Sequence, residues 1–284
     1  MKNENSNSLP IFQVDAFTSS PFTGNPAGVC LLPYPVPDEL QQAIAGEMNL
    51  SETAFVIVSE EMNDTKNFDF PLRWFTPKNE VPLCGHATLA TAAVLFNEYQ
   101  VESPILQFHT KSGLLSATKD ESRFTLDFPA DQPETVDSEA LMPLLHAIGI
   151  DEHVAIFRGK RTGKHVIHVP EAEDVIQLRP DFEQMMAAAP SLTGVGVTAK
   201  GTGEHDIVSR YFNPWFGVNE DPVTGTVHTI LAPYWATILQ KKTLHAFQAS
   251  ARQGEIQISL DGKGRCFLTG DAVIVIKGTL HLPK

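Results

Sequence analysis

The strongest constraint on this chain is a faint internal repeat. Arg73-Trp74-Phe75-Thr76-Pro77 is answered by Arg210-Tyr211-Phe212-Asn213-Pro214 at an offset of 137 residues. Thr23-Gly24-Asn25 is answered by Thr162-Gly163-Lys164, and Phe108-His109-Thr110-Lys111-Ser112 by Phe247-Gln248-Ala249-Ser250-Ala251, both at 139. Three collinear matches at nearly one offset imply two similar copies, which together almost fill the 284 residues. Length alone, at roughly 150 residues per domain, points to two domains. The repeat makes them related domains, residues 1–130 and 131–284, joined at the polar, proline-containing stretch 130–135. The last strand, 272–284, is expected to pack back onto the first domain.

Each copy mixes strands and helices. Val56-Ile57-Val58, Val166-Ile167-His168-Val169 and Ala272-Val273-Ile274-Val275-Ile276 are β-branched runs of strand length. Pro37-Asp38-Glu39-Leu40-Gln41 opens a helix with Asp38 as N-cap, Gln41 as its capping-box partner, and Leu40, Ala43, Ile44 and Met48 on one face. That helix ends near Asn49, leaving Ser51-Glu52 at the turn into a strand over 54–58. Residues 87–96 and 226–239 also read as helices, but apolar all round apart from His228 and a kinking Pro233. Helices without a polar face must be surrounded by protein. Each is opened by a glycine, Gly85 or Gly225, just after the Arg-aromatic-Phe word of its copy. The expected fold is α+β: two pseudo-symmetric domains, each a strand barrel wrapped around a central helix.

Composition excludes several partners. Lys+Arg 21 against Asp+Glu 34 gives a net charge of −13, which disfavours nucleic-acid and anionic-membrane surfaces. Three cysteines, Cys30, Cys84 and Cys266, are too few for a disulfide scaffold and fit a reducing compartment. Cys30 and Cys266 lie in strand-like surroundings and read as core. The first eight residues lack a signal-peptide core, and no stretch approaches the roughly 18 apolar residues of a membrane span. A soluble cytoplasmic protein is expected.

The buried helices also point to chemistry. Their first-turn N–H groups need partners, and a bound carboxylate would satisfy both the hydrogen bonds and the helix dipole. Water or local side chains are the alternative caps. Two such starts facing each other across the domain junction would hold a small anion within an acidic protein. The candidate reactive groups nearby are Glu52, Cys84-Gly85-His86 and Glu220-Asp221-Pro222-Val223-Thr224-Gly225-Thr226. Glu52, His86 and Asp221 are the types that move a proton to or from carbon. A cysteine hydrolase pairing Cys84 with His86 is disfavoured, because residues two apart at a helix start do not readily face each other. Gly194-Val195-Gly196 and Gly201-Thr202-Gly203 lack a full nucleotide-loop pattern and read as strand ends and turns. His165 and His168, three apart in a strand, point to opposite faces, and Glu204-His205-Asp206 reads as a solvated turn. No metal site is expected.

Four motifs carry a family resemblance. Thr23-Gly24-Asn25-Pro26-Ala27-Gly28-Val29, Asn49-Leu50-Ser51-Glu52-Thr53-Ala54-Phe55, Leu83-Cys84-Gly85-His86-Ala87-Thr88 and Glu220-Asp221-Pro222-Val223-Thr224-Gly225-Thr226 resemble, in order, the signature blocks of the PhzF-like phenazine-biosynthesis family. The resemblance runs from about Pro10 to the C-terminus and implies the diaminopimelate-epimerase fold, with its site at the domain junction. It implies a cofactor-independent isomerase acting on a small cyclic or unsaturated carboxylic acid. Glu52 would be the general acid/base, with His86 and Asp221 assisting. Gly85, Thr224, Gly225, Thr226 and Cys84 would line the substrate site. A homodimer is implied by the same resemblance, and no cofactor is.

Two departures limit the transfer. Diaminopimelate epimerases use one cysteine from each domain, and only Cys84 has a counterpart here, since the second copy reads Asp221-Pro222-Val223-Thr224-Gly225. Thr226-Val227-His228 stands where the family more usually has Ser-Ala-His, adding bulk at the helix start. The alternative reading is an interaction or regulatory protein that keeps the fold with little turnover. A closed, fully packed junction would favour it.

Overall fold

A computed structural model describes residues 8–58 and 68–282; the signal-peptide reading above rests largely on residues 1–7, which lie outside this range. The chain divides into two compact units, one running to Asp127 and resuming at Gly270, the other spanning Phe128–Thr269.

The first unit contains β1 (Ser8–Ala16), β2 (Asn25–Leu32), α1 (Asp38–Met48), β3 (Glu52–Ile57), β4 (Asp69–Phe75), β5 (Glu80–Val81), α2 (Gly85–Asn97), β6 (Ile105–Thr110), β7 (Gly113–Asp120) and β8 (Arg123–Pro129), whose last residues cross the boundary. The second contains β9 (Pro133–Thr135), α3 (Met142–Ile148), β10 (Ala155–Gly159), β11 (His165–His168), α4 (Ala172–Ile176), α5 (Phe182–Ala188), β12 (Val195–Lys200), β13 (Ile207–Asn213), β14 (Val218–Glu220), α6 (Gly225–Leu239), β15 (Thr243–Gln248), β16 (Gly254–Leu260) and β17 (Arg265–Gly270). The final strand, β18 (Ala272–His281), pairs antiparallel with β1 in the first unit.

Strand pairing follows one pattern in both units. In the first, β18, β1, β2, β3, β4, β6, β7 and β8 pair in that order, with β5 a short second partner of β4. In the second, β9, β10, β11, β12, β13, β15, β16 and β17 do so, with β14 beside β13. Among these pairings, β2–β3 and β4–β6, and their counterparts β11–β12 and β13–β15, are parallel and the others antiparallel. A parallel link needs a crossover. The crossovers are α1 and α2 in one unit, α4 with α5 and then α6 in the other. These mixed sheets with helices make the chain α+β.

Side-chain alternation explains the layering of the first unit. Ile11, Cys30 and Phe55 lie in register across β1, β2 and β3 and pack with Ile44 and Ala45 of α1. The neighbouring row, Phe12, Val29, Ala54 and Trp74, lies on the opposite face and is also buried. α2 packs against β1, β2, β3, β7 and β18, and every residue from Gly85 to Phe96 is buried. Sequestration of α2 therefore follows from its composition. α6 is buried mostly along its first half and again at Trp235, while Thr237 and Ile238 emerge into solvent.

The start of α1 departs from the capping expectation. Pro37 is the N-cap, Asp38 is the first helical residue, and no side chain caps the turn. Both Asp38 carboxylate oxygens accept from Arg73, and Gln41 Nε2 donates to the Val36 carbonyl. A bidentate guanidinium outcompetes a backbone N–H for the carboxylate. Ala43 is exposed, and Ala45 takes its place on the buried face.

The repeated words prove to be repeated devices. Arg73 on β4 makes two bonds to Glu80 on β5, from Nε (2.8 Å) and Nη2 (2.8 Å), and lies 5.0 Å from the Phe75 ring centroid. Arg210 on β13 does the same with Glu220 on β14, at 2.7 and 2.9 Å, and lies 5.0 Å from Phe212. Gly24 and Gly163 turn β1 into β2 and β10 into β11 at φ of +66° and +68°.

The stretch 130–135 is no loose connector, since Asp131 is 1% exposed and β9 occupies Pro133–Thr135. The Asp131 carboxylate accepts from Arg161 N, Thr162 N and Thr162 Oγ1. Its backbone N–H donates to the Thr229 carbonyl at 3.0 Å. That carbonyl is freed because Pro233, four residues on in α6, has no N–H to offer it.

The two matched glycines yield a differential test. At Gly24 an added Cβ would lie 2.3 Å from the Ala16 carbonyl oxygen, whereas at Gly163 nothing lies within 4 Å. Gly163→Ala should carry only the left-handed backbone cost, about 1–2 kcal/mol. Gly24→Ala should cost clearly more in urea denaturation; equal losses would contradict the close approach.

Candidate functional site

The first cluster forms where β3 begins and α2 begins. Glu52 opens β3 beside Ala27 of β2, and Ser51 precedes it. Cys84 is the N-cap of α2 in extended conformation, with φ −145° and ψ 112°, and makes no side-chain cap bond. Its carbonyl accepts from Thr88 N (3.3 Å) and Thr88 Oγ1 (2.5 Å). His86, 5% exposed, points one ring nitrogen at each neighbour. Nε2 lies 3.3 Å from Glu52 Oε2 and 3.3 Å from Ser51 Oγ, while Nδ1 lies 3.6 Å from Cys84 Sγ.

Cys84 and His86 therefore do meet, against the expectation from helical spacing. Cys84 precedes the first helical residue, so the spacing of side chains on a helix does not govern it. Donor atoms of Glu52, Cys84 and His86 all lie within 4.8 Å of one another, a grouping compact enough to hold a metal ion, which the sequence did not suggest.

Electrostatics fix the protons. Burial pushes the His86 imidazole down to about 3, so it is neutral at physiological pH. The Glu52 contact is then a close approach to a neutral ring and not an ion pair. Ser51 donates its own hydroxyl to Asn25 Oδ1 (3.4 Å) or the Pro26 carbonyl (3.3 Å), leaving its oxygen to accept. Nε2 thus faces two oxygens at 3.3 Å, an arrangement that suits the tautomer with its proton there, while Nδ1 faces the Cys84 thiol.

The second cluster opens α6. Thr224 is its N-cap, again with no side-chain cap bond, because its hydroxyl donates to Asp221 Oδ2 at 2.5 Å. Gln248, fully buried at the end of β15, accepts from Thr224 N (2.9 Å) and donates to the Asp221 carbonyl (2.7 Å). Ser250 Oγ donates to the Pro222 carbonyl, and the Asp221 N–H donates to the Tyr211 carbonyl. Gly225 is buried and Thr226 partly exposed at the helix start. One turn on, His228 Nδ1 lies 2.7 Å from the Thr224 carbonyl, and burial lowers this imidazole to about 4. Burial and the charge of Asp221 both push the Tyr211 phenol up.

Ser51, Gln248, Ser250 and His228 were not among the sequence candidates. Gln248 and Ser250 lie in one of the repeated words, Ser51 lies in a signature block, and His228 interrupts an otherwise apolar helix. Cys30 and Cys266 are fully buried. His168 is buried and lies 2.8 Å from the Tyr234 hydroxyl, while His165 is partly exposed. Asp206 is tied to the His245 N–H and to Lys241, so 204–206 is more than a solvated turn. No helix among the described residues is long and apolar enough to cross a membrane.

An α+β fold thus gathers a carboxyl, an imidazole and a thiol group at the start of one buried helix. The chain belongs to the phenazine biosynthesis-like protein family, PhzC-PhzF, whose profile matches residues 14–278. An uncharacterized isomerase of Pseudomonas aeruginosa is 46% identical over 277 residues, covering 96% of this chain and 99% of its own. A PhzF-family phenazine biosynthesis protein of Enterococcus faecalis, seen in a crystal structure, superposes with a TM-score of 0.86 at 39% identity, covering 97% of this chain and 100% of its own. At the level of fold alone, a hydroxyproline epimerase from Agrobacterium vitis, with trans-4-hydroxy-L-proline bound, gives a TM-score of 0.63 at 9% identity, over 98% of this chain and 94% of that one. The family resemblance read from the four motifs is borne out.

Two stability predictions follow from these clusters. Gln248→Ala strips a partner from Thr224 N and from the Asp221 carbonyl, and should cost about 1–3 kcal/mol in urea denaturation. The histidines set a pH dependence. His86 at about 3 and His228 at about 4 lie below their ordinary 6.5, so below 6.5 the unfolded chain binds protons that the folded chain refuses. Their contribution is complete above pH 6.5 and is lost as pH falls towards 4. A stability profile that stayed flat from pH 7 to pH 5 would contradict the burial of these rings.

Proposed function

We propose that this chain is a cofactor-independent isomerase that moves a proton between carbons of a small cyclic or unsaturated carboxylic acid. The observation that carries the proposal is the 3.3 Å contact of Glu52 Oε2 with His86 Nε2 at the start of a buried helix. The relative named as an isomerase supports the reaction class, and the epimerase likeness supports the scaffold.

In this reading Glu52 removes the proton from one carbon and returns it to another. A base needs its carboxylate form, and the neutral His86 presents Nε2 to Glu52 Oε2 at 3.3 Å. Charge developing on the substrate is held by helix-start N–H groups, aligned before reaction. In the first unit the helix start belongs to Cys84 and Gly85; in the second it belongs to Thr224, Gly225 and Thr226, with Asp221 as an assisting group. Homodimerisation in a reducing, cytoplasmic setting belongs to the same proposal; no disulfide joins the three cysteines.

The test is deuterium uptake from solvent into a panel of unsaturated and cyclic carboxylic acids. Native protein should incorporate label into at least one acid, and Glu52→Gln should lower the rate by roughly 10²–10⁴-fold, the range of a general acid/base. Asp221→Asn should retain partial activity. Exchange by Glu52→Gln at the native rate would remove Glu52 from the role.

A further inference from the structure

We propose that Cys84 and His86 form a site for a thiophilic divalent cation, zinc above all, with Glu52 as the carboxylate that orients the histidine, and that its occupancy blocks proton transfer. The binding does not depend on the isomerase reading; only the blocking does.

Geometry comes first. Cys84 Sγ and His86 Nδ1 stand 3.6 Å apart. A tetrahedral zinc with bonds of about 2.3 Å to sulfur and about 2.0 Å to nitrogen places its two ligands about 3.5 Å from each other. The ion therefore fits the existing spacing with little movement. It takes the place of one proton: the thiol gives up its hydrogen to solvent, and sulfur and Nδ1 both bind the metal. No bond other than S–H is broken, and nothing is oxidised or reduced.

The state of the ring comes second. A metal-binding histidine must be neutral, with a lone pair towards the ion, and its other N–H commonly rests on a carboxylate. The geometry of His86 matches that arrangement: Nε2 lies 3.3 Å from Glu52 Oε2 and from Ser51 Oγ, and Nδ1 faces the sulfur. With all three donor groups within 4.8 Å, rotation of Glu52 can also bring a carboxylate oxygen to the ion.

Charge comes third. A thiolate and a carboxylate in one pocket repel, and a dication neutralises both. The chain's net charge of −13 raises the local concentration of cations around it. A bound ion would occupy Nδ1, sulfur and the space next to Glu52, leaving the acid/base group tethered.

The experiment uses the full-length protein, freed of metal, and zinc or cobalt salts. One equivalent of Zn²⁺ should bind in calorimetry and protect Cys84 from iodoacetamide, with the modified peptide read by mass spectrometry. Cobalt should produce a near-ultraviolet sulfur-to-metal absorption band that Cys84→Ser abolishes. Cys84→Ser should weaken zinc binding at least about tenfold, and Glu52→Gln by about 10–100-fold, as loss of an orienting carboxylate does. Zinc should also suppress deuterium exchange, and a chelator should restore it. Equal alkylation of Cys84 with and without zinc, or a cobalt complex without the band, would overturn the site; neither readout needs a variant to fold. Exchange is measured on metal-free protein, so failure of the isomerase reading shows up separately. Binding without suppression of exchange would overturn the blocking role alone.

Discussion

Everything at the candidate site depends on one constraint: a helix with no polar face has to be enclosed. α2 carries Ala, Leu, Val and Phe on all sides, and its only polar side chains in the middle, Thr88 and Thr91, fold back onto the Cys84 and Ala87 carbonyls. Such a helix gains its stability from burial. Enclosure also places its N-terminus inside the protein, where first-turn N–H groups lose water. Neither Cys84 nor Thr224 spends its side chain on capping. The groups nearest to the helix starts therefore decide what surrounds these N–H groups.

The segments that lead into these helices are pinned by the same device twice. Arg73 clamps Glu80, and Arg210 clamps Glu220, each by a pair of parallel bonds between neighbouring strands. Bidentate guanidinium–carboxylate pairs define direction as well as distance. Four residues after each clamped glutamate comes the N-cap: Cys84 in one unit, Thr224 in the other. The Arg–aromatic–Phe word is therefore more than a trace of ancestry, because it fixes the strand pair from which the chain turns into the helix.

Much of this was legible in the sequence for identifiable reasons. Apolar composition betrayed both buried helices, and an unusual word spaced by 137 betrayed the duplicated strands. Glu52 and His86 could be named because each lies near an element boundary that periodicity locates. What stayed hidden rests on contacts between residues distant in sequence. Asp38 looks like an N-cap until Arg73 arrives, 35 residues away, to claim its carboxylate. Gln248 lies 24 residues from the Thr224 N–H that it satisfies, and nothing local distinguishes it from a surface glutamine. The Cys84–His86 approach was misjudged because helical spacing was applied to a residue still in extended backbone.

The state of His86 decides how its surroundings act. An imidazole pushed down to about 3 by burial carries no positive charge at neutral pH, so its 3.3 Å approach to Glu52 brings no ion-pair attraction. A protonated ring would attract the carboxylate more strongly and make it a poorer base. It would also turn both ring nitrogens into donors and remove the acceptor that faces Cys84. Neutrality keeps the two sides of the ring distinct, Nε2 towards Glu52 and Nδ1 towards the Cys84 thiol. The same burial that costs stability in acid therefore gives the ring its polarity.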